Sequence, residues 1–163
     1  MLKLTKRTEY GLIALMHLAG REGTVVPVRE VAEAYPVPRR LLAEVLKVLH
    51  HAGVVDSQRG ARGGFWLARS AGAITLGEVV AALEGAPTLT GCETLGLSHR
   101  DGSCDVRPVC PIRSPLQRIR LGIWALLQGT TLRSLADSSL TPAELLTAAA
   151  APDDRTLGIQ TPG

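Results

Sequence analysis

Residues able to do chemistry gather in two parts of the chain. All three cysteines, Cys92, Cys104 and Cys110, fall within "GCETLGLSHRDGSCDVRPVCP" at residues 91–111. Thiolates are soft donors, so thiols clustered in one segment point to a transition metal or to redox exchange. Their spacing is C-x11-C-x5-C, with Pro111 directly after the last. Structural zinc sites use closer C-x2–4-C pairs, which makes this a poor zinc match. An iron–sulfur cluster tolerates the spacing better, because its ligands need only converge on an inorganic core from a loop, and cysteine followed by proline also occurs in ferredoxin ligation. A cluster normally takes four ligands. Three thiols leave one position for His99, Asp105, a residue elsewhere in the chain or a partner subunit. Two further readings stay open: three unligated thiols in a loop with too little apolar content to order itself, or a dithiol switch between Cys104 and Cys110.

The second group is cationic. Arg39, Arg40 and Lys47 recur along one stretch, and Arg59 and Arg62 flank glycines in "QRGARGG". Charge is unevenly spread, since residues 1–70 carry 11 Lys/Arg against 6 Asp/Glu and the remainder 7 against 9. That basic excess is a pointer to a polyanion partner for the first half. Its counterpart is a small helical domain whose cations merely solvate the surface.

These residues need elements to hold them. Residues 8–20 are apolar almost all round, which predicts a helix packed on several sides. Val28, Val31, Ala32 and Tyr35 predict a short amphipathic helix, and the run Pro36-Val37-Pro38 forces a turn, with Pro38 suited to the first helical position. From Arg39 to about His51 a further helix carries Leu42, Val45, Leu46 and Leu49 on one face and Arg40, Glu44, Lys47 and His51 on the other, with Gly53 as its stop. Val54-Val55 and Phe65-Leu67 then read as hairpin strands around the glycine- and arginine-rich loop. This order is the outline of a winged helix-turn-helix, whose second helix enters the major groove of double-stranded DNA while the wing follows the backbone or minor groove. Arg39, Arg40, Lys47, Arg59 and Arg62 are the candidate DNA contacts. Glu44 on the reading face could accept from a cytosine amino group or repel phosphate.

Thr75 and Glu78 have capping-box spacing and open a helix through Leu83, closed by Gly85 and Pro87. Beyond the cysteines, Ile112, Leu116, Ile119, Ile123 and Leu126 alternate steps of four and three, the pattern of a helix that packs along another helix. Thr141 and Glu144 start a last short helix, and the tail from residue 151 reads as disordered. The fold class is therefore mainly α with a small β-hairpin wing. Its organisation is a winged helix-turn-helix domain at 1–84, a cysteine loop at 85–110, a dimerisation helix with C-terminal helices at 111–150 and a tail at 151–163.

Aromatics make up only 3% of residues, so the core has to be built from Leu, Val, Ile and Ala. No apolar run approaches the roughly 18 residues of a membrane span. The basic and then apolar start superficially mimics a secretory signal, but Glu9 and His17 interrupt it. An odd number of cysteines without an export signal suits a reducing cytoplasm. His17, His50 and His51 read as packing or surface residues rather than ligands.

The opening "LKLTKRTEYGLIALMHLA", the wing "QRGARGGFWLA", the helix "ITLGEVVAALEG", the three cysteines and the closing "TTLRSLA" together resemble the IscR and NsrR type of bacterial winged-helix transcription regulators, which carry iron–sulfur clusters. The resemblance covers about residues 2–136. It implies a homodimer joined through the long helix near 111–128, one cluster per subunit, and DNA binding that depends on cluster state. Some relatives use an acidic ligand near the N-terminus of the partner subunit, and Glu9 stands at the matching position; otherwise Glu9 is an ordinary first-turn glutamate. Here the first two cysteines are further apart than in IscR, and Pro111, Ile112 and Arg113 stand where that member has a nearby histidine, so cluster nuclearity, 2Fe–2S or 4Fe–4S, stays open. The resulting expectation is a cytoplasmic homodimeric repressor, not an enzyme, that senses iron–sulfur supply, redox stress or nitric oxide through its cluster. A zinc-stabilised interaction module and a small thiol oxidoreductase are the alternatives. No C-x-x-C, catalytic constellation or nucleotide-binding glycine motif supports the enzyme.

Overall fold

The computed structural model describes residues 4–85, 109–137, 139–141, 143, 144 and 147. Helix α1 (Lys6–Ala19) begins two residues before the apolar run that predicts it, because Thr5 caps it: the Thr5 hydroxyl accepts from the Thr8 N–H at 3.4 Å. It buries Gly11, Ala14, Leu15 and Leu18. Helix α2 (Val28–Ala34) follows Pro27, buries Val31, and ends where Tyr35 turns extended ahead of Pro36. Helix α3 (Arg39–His51) buries Leu42, Val45, Leu46 and Leu49, the stripe that its sequence predicts. Pro38 sits one residue earlier than expected. With ψ at 120° it is the extended residue before the helix, and its carbonyl takes the first helical bond, from Leu42 N–H at 3.0 Å.

Strands β1 (Val55–Gln58) and β2 (Gly64–Leu67) pair antiparallel, with Val55 opposite Leu67 and Gln58 opposite Gly64. A single-residue rung widens this hairpin, since Val26 and Phe65 exchange both backbone bonds at 2.9 Å. A 3-10 turn (Ala71–Ala73) leads to α4 (Leu76–Glu84). Helix α5 (Arg113–Gly129) begins two residues later than predicted, and α6 (Leu132–Ala136) follows at once. Residues 143, 144 and 147 are helical, and Glu144 accepts from both the N–H and the hydroxyl of Thr141. The predicted closing residue Pro87 and the tail at 151–163 lie outside the described residues.

The buried core joins Leu15, Leu18, Val31, Leu46 and Leu49 of the first three helices to Val55 and Leu67 of the hairpin and to Ile74, Val79, Leu83 and Leu132. It contains no aromatic side chain among its fully buried members, so its cohesion comes from aliphatic burial at about 25 cal/mol per Å². Helix α1 crosses α3 and α4 at Gly11. A Cβ there would stand 2.8 Å from Leu83 Cδ1 and 3.1 Å from Val45 Cγ1.

The C-terminal helices are locked to α4 at its start. Thr75 pairs with Thr131, Leu76 N–H donates to Thr130 O at 2.7 Å, and Leu132 N–H donates to Ile74 O at 2.9 Å. Gly77 leaves room for Gln128, whose amide would lie 2.6 Å from a Cβ at that position. The capping box is complete: Thr75 N–H donates to Glu78 Oε2 at 2.8 Å and Glu78 N–H to Thr75 Oγ1 at 3.1 Å. Arg69 adds a bond to Glu78 Oε1 at 2.9 Å. Burial pushes the Glu78 carboxyl up, but the Thr75 and Arg69 bonds outweigh it and hold the carboxyl below the ordinary glutamate value.

A folded pKa below the unfolded one contributes stability above the unfolded value, about 4.3, and loses it as pH falls through the folded value. Glu78→Gln keeps an acceptor for Thr75 but removes the charge. It should lower stability at pH 7 by about 1 kcal/mol or less, because the pair is partly solvated. Urea titrations at pH 7 and pH 3 check this: the gap should close at the lower pH, and an unchanged gap would show that ionisation is not what stabilises the turn.

Candidate nucleic-acid interface and thiol ligands

Burying the Leu42, Val45, Leu46 and Leu49 stripe turns the other side of α3 to solvent. Arg39, Arg40, Glu44, Lys47 and His51 are all exposed there. Arg40 Nε–H donates to Glu44 Oε1 at 3.3 Å, one turn along, so that arginine is partly neutralised by its own helix. Among the described residues Arg39 and Lys47 have no ion-pair partner. Pro38 offers no side-chain cap, so the first N–H groups of α3 add their partial positive charge beside Arg39 and Arg40.

The hairpin is rooted on the far end of the same helix. Val54 N–H donates to Leu49 O at 2.9 Å, and His50 Nδ1 lies 3.0 Å from Val55 O. Its tip needs glycine. Gly60 has φ 107°, Gly63 N–H donates to Gly60 O at 2.9 Å, and a Cβ on Gly63 would fall 2.5 Å from Gln58 O. Gly64 is equally constrained, because a Cβ there would lie 2.3 Å from Val26 O across the extra rung. Arg59 and Arg62 are exposed on this loop, again without an ion pair among the described residues. One helix face and one loop tip thus present unneutralised cations next to each other in the chain, a charge pattern suited to a phosphate backbone.

Of the candidate thiol ligands, Cys110 is free and half-buried, two residues before Ile112, which opens α5. Cys92 and Cys104, with His99 and Asp105, lie outside the described residues. Glu9 sits in the first turn of α1 in an ion pair with Lys6. Among the described residues no three His, Cys, Asp or Glu side chains gather into a metal site. By chemistry alone, three thiolates and a carboxylate would suit iron as donors. Two of the histidines have other partners: His17 Nε2 lies 3.3 Å from Glu30 Oε1 and meets Tyr35 edge-on, and His50 approaches Val55 O as above.

Two linkages of this region escape sequence patterning. The Val26 rung is one residue long, too short for an alternation signal. The cap of α6 uses Thr131 with Ser134, whose N–H donates to Thr131 Oγ1 at 3.1 Å, rather than a glutamate or glutamine three residues on.

The family model described as Rrf2, iron-dependent transcriptional regulator, matches residues 4–138. Solved structures resemble the chain over most of its length. CymR (YrzC), the global cysteine regulator of B. subtilis, is 28% identical, with a TM-score of 0.62 over 83% of this chain and 97% of that one. T. potens IscR is 28% identical, with a TM-score of 0.61 over 82% and 85%. Staphylococcus aureus CymR is 27% identical, with a TM-score of 0.61 over 84% and 100%.

The two kinds of residue in this face should separate by thermal melting. Arg39→Ala, Lys47→Ala, Arg59→Ala and Arg62→Ala touch no core and should leave stability within about 0.5 kcal/mol of wild type. Gly64→Ala should cost about 2 kcal/mol or more by prising the hairpin from Val26. A wild-type melting temperature for Gly64→Ala would mean that the Val26 rung does not anchor the wing.

Proposed function

The chain belongs to the Rrf2 family of transcriptional regulators, DNA-binding proteins rather than enzymes, and from that premise we propose that it is a homodimeric, cytoplasmic repressor whose operator affinity is set by an iron–sulfur cluster. The observation that carries the DNA-binding assignment to particular residues is the exposed, unpaired set Arg39, Lys47, Arg59 and Arg62, with Arg40 held by Glu44. In this reading α3 enters the major groove, with Arg39 and Arg40 at base edges or phosphates, while Arg59 and Arg62 follow the adjacent backbone or minor groove.

Support for the dimer comes from α5. It has no buried residue, and Ile112 and Ile119 are 58% and 53% exposed although they belong to its four-and-three apolar pattern. An unfilled apolar seam on a helix of about 25 Å suits a second copy of the same helix. Two recognition helices held by one seam would then meet two half-sites at fixed spacing.

For the signal, Cys92, Cys104 and Cys110 would supply three thiolates and the partner's Glu9 a weaker oxygen donor. An iron–sulfur cluster, when bound, supplies a centre that reacts with oxidants and nitric oxide. The chain's own contribution would be to attach two of these ligand segments to regulatory elements: Cys110 stands three residues before the start of α5, and Glu9 belongs to α1, which backs α3. CymR of B. subtilis and T. potens IscR are equally similar to the chain at 28% identity, so the preference for a cluster rests on the three thiols and the family's iron-dependent description.

Three measurements test this reading. Protein purified without oxygen should contain iron and acid-labile sulfide, and Ala replacement of any one cysteine should abolish stable assembly and shift operator affinity in one common direction. Glu9→Ala should be milder, with faster cluster loss. Full iron and sulfide in any cysteine variant would remove that thiol from the ligand set, and zinc alone would favour an interaction module. Arg59→Ala or Arg62→Ala should weaken operator binding and lower the log–log salt slope by about one; unchanged affinity and slope would take the wing off the DNA. Ile119→Asp should yield monomers in sedimentation, since a charge in the seam costs several kcal/mol, and persistent dimers would put the interface elsewhere.

A further inference from the structure

The polypeptide enters the cysteine segment from the last turn of α4, and that turn holds the start of α1. Glu84, the final residue of α4, accepts two bonds on one oxygen, from Thr5 N–H at 2.7 Å and from Thr5 Oγ1–H at 2.9 Å, across 79 residues of sequence. Thr5 is itself the cap of α1, so Glu84 braces the residue that starts the helix. Thr8 is fully buried beside them, and its hydroxyl stops short of regular hydrogen-bond geometry. Gly85, at φ 83°, ends α4 immediately afterwards, and Cys92 follows Glu84 by eight positions. One residue before Glu84, Leu83 packs into the notch of Gly11, whose other walls are Val45 and Leu49 on the buried side of α3.

We propose that Glu84 is a positioning residue that couples the cysteine segment to the recognition helix, by tying the exit of α4 to the capped start of α1. The inference rests on the cluster reading given above. A pull or twist delivered to Gly85 by ligation reaches Thr5 through two hydrogen bonds and reaches the back of α3 through Leu83, Gly11 and Val45. The link is polar on the outside and packed inside, so it has two separable parts. Breaking the Glu84 bonds leaves the Leu83 contact in place and removes only the restraint on the first turn of α1, the turn that also carries Glu9. Coupling between two sites is defined by the ratio of affinities in the two states, and residues along a physical link alter that ratio.

The test uses full-length protein and an operator fragment recovered by selection from random duplex DNA. Dissociation constants are measured for cluster-loaded and cluster-free wild type, Glu84→Ala and Glu84→Gln, alongside iron and sulfide content and melting temperature. The wild-type ratio should lie in the 5- to 150-fold span usual for allosteric coupling. Glu84→Ala should still assemble its cluster but lower the ratio by about threefold or more, the part that remains being carried by the Leu83 contact. Glu84→Gln keeps a carbonyl able to accept both Thr5 bonds and should retain most of the wild-type ratio. An affinity change of equal factor in both states would mean a purely structural role and overturn the proposal, as would a wild-type ratio in Glu84→Ala. Amide exchange in the wild type gives a readout that survives a poorly folding variant. Thr8 and Glu9 N–H protection should differ between loaded and cluster-free protein, and identical protection sinks the coupling. A wild-type ratio of one, or absence of iron, overturns the cluster reading and this inference with it, an outcome distinct from a wild-type ratio that Glu84→Ala preserves.

Discussion

The contact on which the remaining architecture depends is the crossing at Gly11. Three helices from separate parts of the sequence meet there: α1 supplies the missing side chain, α3 supplies Val45 and Leu49, and α4 supplies Leu83. With no Cβ between them, α3 is held from behind by two helices at once, and its polar side is left facing solvent. A core without large buried aromatics has few bulky side chains to set helix spacing, so close aliphatic approach has to do so. The reading face of α3 is in this sense a product of the opposite face.

A second junction, at the start of α4, makes the C-terminal helices part of the same body. Thr75 and Glu78 close the capping box, Gly77 admits Gln128, and residues 130–132 run alongside residues 74–76 through backbone bonds. Helix α4 therefore has polar fastenings at both ends, Glu78 at its start and Glu84 at its exit, with Val79 and Leu83 buried between them. Each glutamate is held below its ordinary pKa. At Glu78, burial opposes the bonds from Thr75 and Arg69; at Glu84, burial is outweighed by the threonines at the start of α1. Hydrogen bonds to ionised carboxylates are stronger than neutral ones, which suits positions that fix the ends of a short helix.

The wing follows a different rule. Its shape is imposed by the backbone, since Gly60, Gly63 and Gly64 occupy positions where either φ or a neighbouring carbonyl excludes a side chain. On this glycine-shaped loop Arg59 and Arg62 are exposed, without packing obligations. The cations are free to serve a partner because the fold makes no use of them, whereas Arg69, a few residues on, is taken up by Glu78 and Ala73.

Much of this was legible in the amino-acid sequence, because local patterns report local physics. The Leu42, Val45, Leu46 and Leu49 stripe, the Thr75–Glu78 cap, the glycine at 53 and the hairpin around Arg59 and Arg62 depend on neighbours within a few residues, and helix α1 departs from expectation at its ends, starting two residues earlier at the Thr5 cap and stopping one residue sooner at Ala19. The gathering of thiols into one segment and the apolar seam of α5 were equally plain as composition and spacing. What the tertiary structure alone decided are contacts made across the chain: Val26 as an extra rung on the hairpin, Gly11 as the meeting point of three helices, Gln128 over Gly77, Arg40 held by Glu44 while Arg39 stays unpaired, and Glu84 bound to Thr5. A single glycine, valine or glutamate carries no period, and its partner is fixed only when helices from distant segments pack, so its role is invisible until the chain has folded.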